Sequence, residues 1–257
     1  MEMAGIRPLQ LPIRGHRPTF RSMTDSLENA ARKPIRHPQF DHVDTWIFDL
    51  DNTLYPAHCN LFAQIDERMG SFIANELDVD RVEARRIQKK FYVEHGTTLA
   101  GLMSEHGMAP GPFLDYVHDI DLAVVDPSEA LDAALARLPG KRFIFTNGSH
   151  RHAENVAGKL GVLDRFDGII DIAACNFVPK PHPDAFTHFL GHSRADAGRA
   201  AMFEDIARNL EVPHQLGMRT VWIQTHEDWA TEKAHHGKDG EHVHHVTDDL
   251  VGFLDTL

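Results

Sequence analysis

With 257 residues, 42% of them hydrophobic and 25% charged, the chain can bury a substantial core as one large domain or as a domain carrying an insertion. Its formal net charge of -12 repels phosphate polymers and anionic surfaces, which excludes a general nucleic-acid or membrane-surface binder; any phosphate it holds must be captured by a local site. Two cysteines, Cys59 and Cys175, form no CxxC pair, and the chain has neither a secretory h-region nor an apolar run near the about 18 residues of a membrane-spanning helix, so the expectation is a soluble protein of the reducing cytoplasm.

Residues 1–42 scatter Arg, Pro and His without an apolar period, from Arg7 and Pro8 to Pro34 and Arg36, and read as a basic tail dispensable to the fold. From Thr45 the pattern changes. Trp46-Ile47-Phe48 is a short apolar run, expected to be a buried strand, that ends abruptly in Asp49-Leu50-Asp51-Asn52-Thr53. Strand signal then disappears between about Tyr55 and Val125. Leu61, Phe62, Ile65, Met69, Phe72, Ile73 and Leu77 keep a helical period, and Asp80 and Glu83 can cap the helix that follows.

Asp126-Pro127-Ser128-Glu129 combines an N-cap, a proline at the first helical position and a capping-box Glu ahead of Leu131, Leu135 and Leu138, and Gly140 stops that helix. Three further strands are expected: Arg142–Phe145 running into Thr146-Asn147-Gly148, Gly168–Ile172, and Ala200–Phe203 running into Glu204-Asp205. Pro213 interrupts the helical stretch from Ala207 to Leu216 and is expected to start a second short helix. Beyond Gln224, strand signal resumes at His242–Val246, before a helix from about Asp248 to Leu254.

Strands alternating with helices predict an α/β fold, a Rossmann-like doubly wound parallel sheet, with its ligand beyond the carboxyl ends of the strands. The polar clusters fall at that edge. The expected division is a core of residues 43–55 and 125–257, with residues 56–124 inserted as a helical cap able to cover the site.

Two carboxylates two residues apart at a strand end can take different roles. One can attack phosphorus while the other protonates the departing oxygen and later activates water; Asp49 is the expected nucleophile and Asp51 the acid and base. Anions crowded around a phosphate need a cation, and Mg²⁺ suits a site of few carboxylates, with Asp205 and its neighbour Glu204 as distant donors. Thr146, Asn147 and Lys180 are the expected phosphate-binding residues, because phosphoryl transfer depends on positioned donors.

DLDNT at 49–53, TNG at 146–148, Lys180 in VPKPHPDAF and ED at 204–205 together resemble the four ordered motifs of the haloacid-dehalogenase superfamily, over about residues 44–224. The resemblance implies an aspartyl-phosphate at Asp49 and magnesium held by Asp49, the backbone carbonyl of Asp51 and Asp205. It leaves Glu204 as a ligand, a ligand through water, or a cap of the next turn. True dehalogenases of that superfamily do not require the second aspartate, so Asp51 favours phosphatase chemistry.

His95–Leu102 and Tyr116–Asp121 look like the cap of its pyrimidine 5′-nucleotidase branch, which implies a pyrimidine nucleoside 5′-monophosphate as substrate and Thr97, Thr98 and His118 as specificity residues. The same residues also suit a helix N-cap at Thr97 or Thr98 and a helix end near His118. Rival readings are a phosphatase of another small phosphometabolite, a phosphomutase and a non-catalytic ligand-binding protein on the same scaffold. His226, His235, His236, His242, His244 and His245 fit no standard zinc spacing, and His242–Val246 alternates as an edge strand does. Cys175 reads as a buried apolar side chain.

Overall fold

The computed structural model describes residues 37–225 and 240–257. Six parallel strands, β1 (Thr45–Phe48), β2 (Lys141–Phe145), β3 (Gly168–Ile170), β4 (Ala200–Glu204), β5 (Arg219–Ile223) and β6 (His245–Thr247), lie in the order β3-β2-β1-β4-β5-β6. Because the chain leaves β1 toward β2 on one side and returns to β4 on the other, the carboxyl end of β1 is the switch point where such sheets bind ligands.

The strand interiors are apolar runs because helices cover both faces. Successive side chains point to opposite faces. Trp46, Phe48, Ile144, Ala201, Phe203 and Val221 pack in one core with residues of α5 (Glu129–Arg137), α6 (His150–Leu160) and α9 (Leu250–Leu254). Ile47, Phe143, Phe145, Ala200, Met202 and Trp222 face the other core, with α7 (Pro183–Ser193) and α8 (Glu211–Gln215). Cys175 belongs to that second core.

Between β1 and β2 the chain is helical: α1 (Leu61–Leu77), α2 (Arg81–His95), α3 (Thr98–His106) and α4 (Pro110–Val117). These helices enclose a third cluster that includes Ile65, Phe72, Phe91, Leu102 and Phe113. Asp80 caps α2, taking the Val82 and Glu83 N–H groups at 2.9 Å, whereas the Glu83 carboxylate turns to Arg86. At Gly101 a Cβ would come within 2.3 Å of the Phe91 side chain, so α2 and α3 can approach as they do only through glycine. At Gly140, with φ +81°, a Cβ would meet the Asp44 carbonyl oxygen at 2.0 Å. That turn lets Lys141 donate to the same carbonyl and sets β2 beside β1.

Several expectations are corrected. The folded region starts before residue 43: Pro38–Phe40 forms a 3-10 turn whose Phe40 is buried against Trp46, His245 and Phe253. The cap of α5 is Ser128, which accepts from Leu131 N–H; Asp126 is not the cap, Pro127 precedes the helix and Leu138 ends it. β3 stops at Ile170, because the Asp171 carboxylate leaves the ladder to accept from the His150 and Ala174 N–H groups. The break near Pro213 falls earlier, between a 3-10 turn (Ala207–Leu210) and α8, whose first turn needs no N–H from the proline. β5 was not singled out in the sequence, and β6 is shorter and later than expected.

Of the C-terminal histidines, 226, 235 and 236 lie outside the described residues. The carbonyl of His242 accepts from the Thr220 hydroxyl, the His244 Nδ1 lies 2.7 Å from that hydroxyl, and His245 packs on Phe40 and Phe253. None of the described helices is long and apolar enough to cross a membrane.

Candidate active site

Register brings the three strand ends together. Phe48 pairs with Ile144 on one side and Phe203 on the other, so Asp49, Thr146 and Glu204-Asp205 converge just beyond the sheet. They line a cavity of about 490 Å³ whose far wall is the helical segment, with Phe62, Met69, Tyr92, Phe113 and Val117 among its apolar residues.

Lys180 enters this cluster fully buried. Its ammonium donates to Asp49 Oδ1 at 2.7 Å, Glu204 Oε2 at 2.7 Å and the Phe145 carbonyl at 2.8 Å. All three of its protons are engaged with the protein. Burial opposes that charge, but Asp49 and Glu204 outweigh it and hold the ammonium well above the usual lysine range. Lys180, expected as a phosphate ligand, is therefore first the counter-ion of the strand-end carboxylates.

The Asn147 side chain clamps the Lys180 loop: its Oδ1 accepts from the Lys180 backbone N–H at 2.8 Å and its Nδ2 donates to the Lys180 carbonyl at 3.2 Å, which leaves the backbone after Thr146 as the part of Asn147 expected to meet a phosphate. Thr146 Oγ1 accepts from Gly148 N–H at 2.9 Å, which leaves the hydroxyl proton to donate into the cavity.

Asp49, Glu204 and Asp205 bring carboxylate oxygens within 4.8 Å of one another. Burial, then repulsion from Glu204, pushes the Asp49 carboxyl up to about 7 against the pull of Lys180. Burial, then repulsion from Glu204 and Asp49, raises Asp205 strongly against the pull of Lys180. Glu204 is engaged on both oxygens: Oε1 accepts from Ile206 N–H at 3.3 Å and Asn209 Nδ2 at 3.1 Å while Oε2 holds Lys180. Glu204 thus caps the turn and anchors Lys180 while standing within coordinating range of the other two.

Asn52 and Thr53 were missed. Thr53 donates to Asp49 Oδ2 at 3.3 Å, and Asn52, at a left-handed φ of 61°, donates to Asp205 Oδ2 at 3.4 Å while its own Oδ1 is buried without a protein partner. The DLDNT string carried the signal for both.

Asp51 sits in different surroundings. Its Oδ1 accepts from the Tyr55 hydroxyl at 2.7 Å and from His152 Nε2 at 2.8 Å. Burial raises the Asp51 carboxyl, but the charge and hydrogen bond of His152, with the Tyr55 hydroxyl, outweigh it and hold it below the usual range. Tyr55 and His152 had not been singled out, although His152 lies four residues past Gly148.

His118 stacks on His152 with centroids 4.3 Å apart and an interplanar angle of 8°, and its Nδ1 lies 3.0 Å from Ser149 Oγ. Burial, then the neighbouring His152, depresses His118 to about 3, so its imidazole is neutral. Thr97 caps α3 by accepting from Ala100 N–H, Thr98 is buried at the first helical position, and both border the cavity. Much of the Tyr116–Asp121 string holds the helices together: Arg68 donates to the Tyr116 carbonyl and pairs with Asp119, and Gln64 exchanges hydrogen bonds with Asp121.

A profile of haloacid dehalogenase-like hydrolases matches residues 43–217. Phosphate metabolism protein 8 of Saccharomyces cerevisiae is 28% identical over 206 residues, covering 73% of this chain and 63% of that protein, so the match spans less than two thirds of that relative's length. Among solved structures, CbbY from Rhodobacter sphaeroides in complex with phosphate superposes with a TM-score of 0.55 at 17% identity, covering 83% of this chain and 99% of the other. L-2-haloacid dehalogenase from Xanthobacter autotrophicus, with chloropropionic acid covalently bound, gives 0.52 at 15% identity, covering 83% and 97%. These structural likenesses carry the fold and no more.

Proposed function

Because the chain belongs to the haloacid dehalogenase-like hydrolases, we propose that it hydrolyses a phosphomonoester through Asp49. The observation that carries this reading is the pair of carboxylates on one loop in opposite settings: Asp49 against Lys180, Asp51 against His152 and Tyr55. An enzyme that attacks carbon to expel a halide has no oxygen leaving group to protonate, and a second carboxylate fixed at the cavity would have no task there.

Asp49 attacks phosphorus, and the bond to the ester oxygen breaks as that oxygen takes the proton from Asp51. Water then attacks the aspartyl-phosphate, returns a proton to Asp51 and releases inorganic phosphate with Asp49 regenerated. Asp51, held low in the free protein, gains affinity for a proton when a phosphate group arrives beside it. Thr146 donates to the phosphate, and Lys180 offsets charge on the nucleophile.

The donor set suits Mg²⁺: hard carboxylate oxygens gathered around the Lys180 ammonium, and the orphaned Asn52 Oδ1 at the same corner. Asp49, Asp205 and the Asp51 backbone carbonyl would hold it, with Glu204 behind them as the anchor of Lys180. When bound, it supplies the positive charge that lets a phosphate dianion approach these carboxylates.

The helical segment acts as a lid that reads whatever is attached to the phosphate. A pyrimidine nucleoside 5′-monophosphate is the proposed substrate. The strings at 95–102 and 116–121 support it, as does a cavity of about 490 Å³ with Phe62, Tyr92 and Phe113 in its wall, large enough for far more than a phosphate. Phosphate release should be measured over uridine, cytidine and adenosine 5′-monophosphates, sugar phosphates and p-nitrophenyl phosphate, with Asp49→Asn as control. The pyrimidine nucleotides should lead in kcat/KM and the variant should be inactive. A faster sugar phosphate overturns the substrate, and undiminished release by the variant overturns the covalent step.

A further inference from the structure

Asp51 lies on a loop beyond β1, and a carboxylate there turns easily about its last torsion, which has no sharp minimum. Both donors that restrain it bind the same oxygen, Oδ1, while among the described residues Oδ2 has no protein partner and the residue borders the cavity. Tyr55 is four residues away on the same stretch of chain, its ring buried in the core. His152 is 101 residues away on another element.

That element is firmly seated. Asp171 accepts from His150 N–H, and Ser149 caps α6 by accepting from His152 N–H. The His152 ring is itself held flat by His118, which follows α4 in the helical segment and bonds Ser149. The chain of contacts therefore runs from the wall of the cavity, through two stacked imidazoles, to the back of one carboxylate oxygen.

We propose that His152 is the positioning residue that aims Asp51 Oδ2 at the leaving oxygen, and that His118 couples this aim to the seating of the helical segment over the core. The proposal rests on the reading of Asp51 as the acid. It gives His118 a task other than reading the substrate, and it gives the buried His152 one beyond packing. Transfer of the Asp51 proton to the departing oxygen matters most when that oxygen leaves poorly, so misaiming Asp51 must penalise poor leaving groups selectively.

The test compares kcat/KM for phenyl phosphate, whose phenolate leaves poorly, with p-nitrophenyl phosphate of nearly the same shape. Asp51→Asn should lose far more on phenyl phosphate. His152→Leu should show the same selectivity, about ten- to hundred-fold between the two substrates. His152→Gln, which keeps an N–H donor of similar reach, should recover much of the kcat/KM lost on phenyl phosphate, and His118→Ala should show the selectivity in weaker form. Should His152→Leu not fold, as judged by thermal unfolding, His152→Asn takes its place, since its shorter amide withdraws the donor from Oδ1. Equal losses on both substrates for the His152 variants, beside a selective Asp51→Asn, would overturn the positioning role and leave Asp51 as the acid. A non-selective Asp51→Asn would remove the acid itself, and the proposal with it.

Discussion

Lys180→Met removes an ammonium and leaves a chain of similar length, so its effect is almost wholly electrostatic. Asp49 Oδ1 and Glu204 Oε2, each 2.7 Å from the ammonium, lose their cation together while both stay buried. Breaking a buried pair by deleting one partner costs about 3–5 kcal/mol. At about 2–4 °C per kcal/mol for a domain of this size, the variant should melt about 6–20 °C lower in metal-free buffer at pH 8.

The cost should shrink on acidification. Asp49 already stands at about 7 with Lys180 present, and Lys180 is what lowers it, so without the ammonium it rises further. A carboxyl whose folded pKa is raised contributes stability below its unfolded pKa and loses it as pH rises through the folded value. In the variant that loss extends to higher pH than in the native protein. The gap in Tm should therefore be wide at pH 8 and narrow toward pH 6, by up to about 1.4 kcal/mol per pH unit for one proton taken up. Thermal unfolding at the two pH values, with a chelator present, measures it. An equal gap at both, or a gap under about 1 kcal/mol, would refute the reasoning that Lys180 neutralises this cluster.

Added Mg²⁺ should raise Tm more at pH 8 than at pH 6, because at the lower pH Asp49 must first release a proton; a shift independent of pH would separate the cation from Asp49. Chelation should abolish phosphate release, and Mg²⁺ should restore it better than Ca²⁺, whose looser coordination suits in-line transfer poorly. Phe40→Ala should cost about 3 kcal/mol in chemical denaturation, since the ring is buried against Trp46 and Phe253, whereas removal of residues 1–36 should leave kcat/KM nearly unchanged.

The parts of the site legible in the sequence are those that one strand end and its following loop carry together. Trp46-Ile47-Phe48 followed by two aspartates announces both a buried strand and its reactive tip, because a parallel sheet delivers its polar termini to one edge. The residues that order those tips are set by packing between distant elements. Asn147 drew notice for the backbone after Thr146; that both ends of its side-chain amide hold the Lys180 backbone follows only from the approach of the Lys180 loop. Glu204 stands within coordinating range of Asp49 and Asp205, and that Asn209 and Lys180 also engage its two oxygens is set by residues distant in sequence. His152 reads as one more polar residue on a helix, and its partner Asp51 is 101 residues earlier.

The two carboxylates of the DLD loop also explain why neither cation nor substrate is dispensable to the proposed reaction. In the protein alone their settings run against their tasks: the nucleophile is raised toward its neutral form and the acid is held ionised. Beside a bound divalent cation Asp49 would return to the carboxylate that the proposed attack requires, because added positive charge favours the ionised form. Asp51 gains its proton only as the negative charge of a phosphate enters. In the proposed reaction the free protein would therefore be poor at both steps, and each carboxylate would reach its working state through the group it must meet. A shift of one unit in either direction corresponds to about 1.4 kcal/mol of differential interaction, well within the reach of a charge placed a few ångströms away in a buried site. His152 adds what charge alone does not supply, a direction for the Asp51 oxygen that carries the proton.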